Sequence, residues 1–462
     1  MKIKHFAIAL LIFSSLSLKA QKTDDDALFI RNIYDKSLTQ GQSYAWLKHL
    51  TTKIGHRLSG SPQYLSAVEF SRQMLDSLGV DSVWLQPCMV PHWIRGEKES
   101  ARILNSSIMG TLELNVLALG GTVATPRNGI SAEVIEVHSL DEVEKLGRKA
   151  IAGKIVFYNR PLDPTKISTG EAYGGGVDQR YAGPAKAATF GAVAVLVRSM
   201  TTASDDIPHT GSTAHDDGKM IPALGISTNH ADLLSRLLQS ETVRVNVQTN
   251  CQWLKDEPAY SVIGEWRGSQ KPNEYIMIGG HLDSWDVGQG AHDDGTGCVQ
   301  SMDVLNVMKR IGYRPKHSIR CVLFANEENG LRGGNKYAEE ALRKKEIHIA
   351  AIESDGGGFT PRGFTMEAEE DVFVNKFKRV NQWSNLLEPY DLSLRKGGSG
   401  ADISPLRKQK SLLIGFKVDP QRYFDIHHTQ ADTFDKVNKR ELELGVAAIT
   451  SLVYLIDKYG LE

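Results

Sequence analysis

The chain has 462 residues, too long for one ordinary domain and comfortable for two. At 41% hydrophobic and 24% charged, with no biased tract, it has the balance of a packed globular protein and not of a disordered or fibrous one. A formal net charge of -1 gives no reason to expect a nucleic-acid partner or an anionic membrane surface.

Residues 1–20 read as a cleavable signal peptide. Met1-Lys2-Ile3-Lys4 is basic, Phe6 to Phe13 is apolar, and Leu18-Lys19-Ala20 is a small-residue cleavage site before Gln21. The apolar run is well short of the ~20 residues a span requires, and no other stretch qualifies. The expectation is a secreted or periplasmic protein with no membrane span in the mature chain. Four cysteines, Cys88, Cys251, Cys298 and Cys321, follow no metal-binding spacing. Cys298 and Cys321 fall in apparent core elements and read as buried thiols; any pairing is open.

A polar, helix-compatible lead (Asp24 to Leu50) precedes a loop at 56–62. Ser61-Pro62 then starts a helix that runs to Leu78, with Gly79 as its stop. Val83 to Val90 alternates like a strand. Between 122 and 251 the texture becomes β-rich, with strands at 132–137, 153–158, 191–197, 221–226 and 243–247 and helices at 182–190 and 230–238. This block is read as an insertion within a larger unit formed by 21–121 and 252–462. The second part alternates strands (260–265, 275–278, 318–324, 347–352, 411–416) with helices (296–311, 334–345, 371–387, 439–459). Apolar strands separated by helices predict an α/β fold with a mixed, mostly parallel sheet buried on both faces.

In such sheets ligands bind beyond the carboxyl ends of the strands, and polar residues collect there. The stretch 275–297 breaks from an apolar run at Gly279-Gly280 and then presents His281, Asp283, Asp286, His292, Asp293 and Asp294. Strand 318–324 leads into Asn326-Glu327-Glu328, and strand 347–352 into Glu353-Ser354-Asp355. His427-His428 precedes Asp432-Thr433. Imidazole nitrogens with carboxylate oxygens suit zinc. A carboxylate shared between two cations can bridge them, and an adjacent acidic pair such as Glu327-Glu328 can divide its work, one residue binding and one moving a proton.

Gly279-Gly280-His281-Leu282-Asp283-Ser284-Trp285-Asp286-Val287-Gly288-Gln289-Gly290-Ala291 with Asp293-Asp294-Gly295 resembles the signature of the M28 metallopeptidases, most closely their secreted, dipeptidase-like branch. The likeness extends over nearly all of the mature chain, including an inserted protease-associated domain at 122–251. It implies a zinc-exopeptidase fold and two Zn2+ ions per chain. Asp293 would bridge them, His281 and Asp355 would complete one set of ligands, and Glu328 and His428 the other. Glu327 would be the general base and later the acid. Asp283 would orient the ring of His281, and a cis peptide is expected at Asp293–Asp294. The resemblance places His428, not His427, as the ligand, because the family's ligand lies four residues before the Asp of Asp-Thr. Ser399, in the loop Gly398-Ser399-Gly400-Ala401-Asp402, and Tyr423 are candidates for substrate or oxyanion contacts. The loop His209-Thr210-Gly211 is a candidate rim of the cleft. Short peptides, dipeptides foremost, are the implied substrates, with aminopeptidase, carboxypeptidase and dipeptidase action all left open, and a homodimer is implied by the branch alone. Two relatives of similar architecture define the alternatives: a single-zinc glutaminyl cyclase-like acyltransferase and a non-catalytic receptor-like binding protein.

Overall fold

The computed structural model describes residues 25–214 and 220–462; the expected signal peptide lies outside them. A helix over residues 25–40 opens the described chain, followed by the helix Ser43–His49 and the wide π-helical turn Leu50–Ile54. The helix Pro62–Leu78 begins as expected: Ser61 accepts the Tyr64 N–H, Pro62 occupies the first turn, and Gly79 closes it in a left-handed conformation.

The larger sheet has eight strands in the order Ser82–Val90, Glu257–Trp266, His317–Phe324, Lys271–His281, Ile347–Glu353, Leu412–Val418, Pro361–Glu367 and Ser393–Lys396. The four strands 317–324, 271–281, 347–353 and 412–418 are mutually parallel, with Ile278 level with both Cys321 and Ile352, and Ile352 level with Ile414. Antiparallel strands flank them on either side. Every residue of strand 317–324 is buried, because side chains point alternately to two covered faces. Ile276 and Ile278 pack into one core with Val299, Met302 and Val446, while Met277 meets Tyr337, Ala338 and Ala341 of the helix Arg332–Lys344. The helix Thr296–Arg310 is buried continuously from Thr296 to Met308 and lies against the final helix, Lys439–Tyr459. This is the α/β architecture anticipated.

A second eight-stranded sheet runs in the order Gly110–Leu114, Ser100–Ser106, Arg244–Gln248, Ile130–Val137, Ile155–Tyr158, Ala194–Arg198, Ala223–Ile226 and Val116–Ala118. It has its own cores, one around Leu196, Leu224 and Val245 and one around Val156, Val195 and Tyr158. Its first strands lie before the expected boundary at 122: residues 100–118 pair here, through Ala101 with Val247 and Val116 with Ile226, and not with the larger sheet. Other expectations shift as well. The helix expected over 371–387 is two helices, Glu370–Asn381 and Ser384–Leu387. The strands 361–367 and 393–396 and the helix Leu140–Ile151 were not anticipated. All four cysteines are free, and Cys298 and Cys321 are buried. Among the described residues, no helix is long and apolar enough to cross a membrane.

Candidate metal centre

His281 is the last residue of strand 271–281, so the sheet itself delivers its ring to the strand ends. Gly280 sits one residue earlier, where a Cβ would collide with the Asp294 carboxylate. That carboxylate accepts the His281 N–H at 3.1 Å through one oxygen and the Gly297 N–H at 3.0 Å through the other. Asp294 thereby ties the strand end to the start of the helix 296–310. Asp293 lies between them. Its own N–H and that of His292 donate to the Asp432 carboxylate, at 3.1 and 2.7 Å. The Asp293–Asp294 peptide is cis, as expected. From below, the fully buried guanidinium of Arg57 donates to the carbonyls of Leu282 at 2.5 Å and of Gln289 and Gly290 at 3.0 Å each.

The side chains then converge on Asp293. His281 Nε2 lies 3.2 Å from Asp293 Oδ1 and 3.6 Å from Asp355 Oδ1. On the other side, His428 Nε2 lies 3.1 Å from Asp293 Oδ2 and 3.1 Å from Glu328 Oε2. Glu328 is held by the Trp285 N–H, which donates to Oε1 at 3.2 Å. His427 stacks on His428 with ring centroids 3.5 Å apart and brings its own Nε2 to 3.6 Å from Asp293 Oδ2. His427 therefore belongs to the cluster too; the sequence showed the pair of histidines but not that both rings face the same carboxylate.

These residues fit a pair of cations. Nitrogen and oxygen ligands about 2.0–2.2 Å from a tetrahedral ion are spaced about 3.4 Å apart, close to the separations seen on both sides of Asp293. The donor atoms of His281, Asp293 and Asp355 form one compact group, and those of Asp293, His427 and His428 another, with Asp293 in both. Asp293 Oδ2 and Asp355 Oδ1 are buried without a well-formed hydrogen bond, which is costly unless a partner satisfies them. In the chain by itself the groups answer one another. Burial lowers His428, but Glu328 and Asp293 push it up to about 10. Burial raises Asp293, but His281 and His428 hold it well below the usual carboxylate range. Burial and the Asp293 charge raise Glu328 to about 7.

The other expected residues take varied places. Asp283 does not orient His281 chiefly through its carboxylate, which lies 3.8 Å from Nδ1; its backbone carbonyl, at 3.0 Å, does so. The carboxylate instead accepts the N–H groups of Glu327 and Glu328, at 3.1 and 3.4 Å, and so fixes the acidic pair. Glu327 is half-buried at the edge of the centre. Burial, Asp355 and Glu328 raise its carboxyl well above the usual value, against the lowering effect of His281. Ser399 is turned away: its hydroxyl donates to Glu367 at 2.7 Å. Tyr423 is buried beside His427, and burial together with the Asp293 and Asp355 charges keeps its phenol protonated. His292 stacks on Phe359 and accepts the Gly358 N–H. The supporting residues Asp294, Asp432 and Arg57 were not singled out as such from sequence, since each acts on backbone groups that only the fold brings near.

The second sheet also reaches the centre. Trp285 packs on Gly120, where a side chain would collide with its ring. Arg180 is buried, donates weakly to the Thr210 carbonyl at 3.5 Å, lies over Tyr173 and has no carboxylate partner among the described residues.

The chain is similar to known peptidases over most of its length. The model of peptidase family M28 matches residues 261–453. The chain is 33% identical to carboxypeptidase Q of Bos taurus over 94% of its own length and 89% of that protein. A crystal structure of a peptidase M28 precursor from Shewanella amazonensis SB2B superimposes with a TM-score of 0.89 at 32% identity, covering 95% of this chain and 99% of that one. A zinc aminopeptidase from Bacillus subtilis shares the fold, with a TM-score of 0.65 at 18% identity, over 89% of this chain and 94% of that one.

Proposed function

This chain belongs to peptidase family M28, a family of metallo-exopeptidases, and from that premise we propose that it removes terminal residues from short peptides, dipeptides foremost, with two zinc ions. His281, Asp293 and Asp355 would hold one ion, and Asp293, Glu328 and His428 the other, with His427 available beside them. The observation that carries this is a single buried carboxylate, Asp293, facing imidazoles from both sides at 3.2 and 3.1 Å. Bound there, divalent ions supply Lewis acidity, acidifying a water and polarising the scissile carbonyl.

The chain's own residues do the rest. Glu327 takes the proton of the attacking water on its carboxylate and returns it to the leaving amine. Burial and the Asp355 and Glu328 charges raise its affinity for a proton, the direction that suits a general base. Asp283 holds Glu327 in place through its backbone N–H. Tyr423, kept protonated, can donate to the developing oxyanion. Arg180 supplies a positive partner for the peptide's free carboxylate, because a buried guanidinium with no acidic neighbour among the described residues is fitted to an anionic group. We assign the second sheet as a protease-associated unit closing one side of the cleft, and the protein as exported.

The test offers a free dipeptide, its N-blocked form and its C-amidated form to zinc-loaded protein while bound metal is counted. Two ions per chain and strong discrimination against the amidated peptide support the proposal. One tightly bound ion in fully active protein favours the cyclase-like alternative, and no metal binding at all favours the receptor-like one. Export is checked by fractionating cells and sequencing the mature N-terminus, expected at Gln21.

A further inference from the structure

The two histidines at the centre are oriented from different places. A ligating imidazole donates its second N–H to an acceptor that fixes both tautomer and ring direction. For His281 that acceptor is local: Nδ1 lies 3.0 Å from the carbonyl of Asp283, two residues along. For His428 it is remote in sequence: Nδ1 lies 3.4 Å from the carbonyl of Thr210, in a loop between strands 194–198 and 223–226 of the second sheet.

The contact runs in both directions. The Thr210 N–H donates to the His428 carbonyl at 3.0 Å. His428 has φ of +60°, a left-handed conformation that a non-glycine residue keeps only where its surroundings impose it. Thr210 is itself pinned: its hydroxyl donates to the Ala118 carbonyl at 2.8 Å, and the neighbouring Gly211 carbonyl accepts the Gly120 N–H at 2.9 Å. Thr210 is fully buried.

We infer that Thr210 is a positioning residue of the metal centre, through which the second sheet sets the tautomer and backbone of His428 and hence the occupancy of the Glu328–His428 position alone. This rests on the two-ion reading above. The His281–Asp355 position, oriented by its own strand end, is independent of the second sheet.

The experiment titrates zinc into metal-free full-length protein against a chromophoric chelator. Asp355→Ala, which strips the other position, identifies which binding step belongs to His428. Thr210→Pro removes the N–H donor and Thr210→Ala removes the hydroxyl anchor; Thr210→Ser keeps both. The expected result is a 10–100-fold weaker affinity at the His428 step in the proline variant, a smaller loss in the alanine variant, restoration in the serine variant, and an unchanged affinity at the other step. If the proline variant does not fold, the alanine and serine variants decide. Affinities unchanged from wild type at both steps in every folded variant, or equal losses at both, overturn the inference. Wild-type protein that binds fewer than two ions overturns the two-ion reading instead.

Discussion

The two sheets are built alike and do different work. Each has eight strands and a parallel centre covered by helices. In the larger sheet the carboxyl ends of strands 271–281, 317–324 and 347–353 lead straight into His281, Glu327-Glu328 and Asp355. In the second sheet the corresponding ends carry Asn159, Ser199 and Ser227, whose side chains serve local hydrogen bonds: Asn159 to Glu136, Ser199 to the Ile226 carbonyl, and Ser227 as the cap of the helix Thr228–Leu238. A doubly covered sheet thus provides a rigid set of strand ends, and function depends on what is placed on them.

The largest expected effect separates chemistry from binding. Glu327→Gln should lower kcat by roughly 10²–10⁴-fold while metal content stays at the wild-type level; steady-state rates and a metal count on the same preparation check it. A rate near wild type would remove Glu327 from the mechanism and leave the larger sheet with no proton carrier identified.

Next comes a change confined to the second sheet. Leu224→Ala opens its fully buried core and should cost about 2–5 kcal/mol, read by denaturant unfolding. The second unit also meets the larger one through Thr169 with Pro420 and Tyr173 with Phe424; if none of these contacts carries to the His281 ligands, zinc affinity at the His281 step is unchanged in the folded variant. A change at that step would mean that one of them does.

Arg180→Met should raise KM for free dipeptides by roughly 10–100-fold, the share expected of one charge-assisted pair, and leave the C-amidated peptide unaffected. An equal change for both peptides would place Arg180 in a structural role.

The smallest effect lies far from the centre. Asp457 is fully buried and accepts from Tyr313 and from the N–H groups of Lys316 and His317. Burial raises its carboxyl, but the His317 ring and these donors lower it further, so its net position is below the usual value. A depressed folded-state value means that the stabilisation is present above the unfolded pKa of about 3.9 and is lost as pH falls toward the folded value. Asp457→Asn should therefore destabilise by about 1–3 kcal/mol at neutral pH, and the gap from wild type should close as pH drops below about 4. A gap independent of pH would assign the loss to packing.

The sequence made the catalytic half of the fold legible because buried strands are apolar runs and their ends are abrupt. Gly279-Gly280-His281 marks such an end directly. Strands 361–367 and 393–396 escaped because they are short or interrupted, with Pro361, Gly363 and Arg395 breaking the apolar pattern and little burial in the outermost one. The helix Leu140–Ile151 carried a signal that could have found it: the Ser-x-x-Glu spacing of Ser139 and Glu142, where Ser139 caps the helix by accepting the Glu142 N–H and the Glu142 side chain reaches back to the His138 N–H. The early start of the second sheet had no such mark, since strand pairing depends on contacts between residues more than a hundred positions apart. At the centre, ligand-type residues could be picked out by chemistry and family likeness. Asp294, Asp432 and Arg57 could not, because they bind main-chain atoms whose positions exist only in the folded chain.

The helix 296–310 gives the centre a mechanical property. It starts three residues after Asp293 and is shielded from solvent along almost its entire length. A helix with no wet face has no cheap local opening, so its amide hydrogens should exchange only when the whole domain unfolds. Asp293 thus sits at the end of a stiff shaft whose fluctuations are those of the core itself. Hydrogen exchange should rank Val299 to Val307 among the slowest amides in the chain.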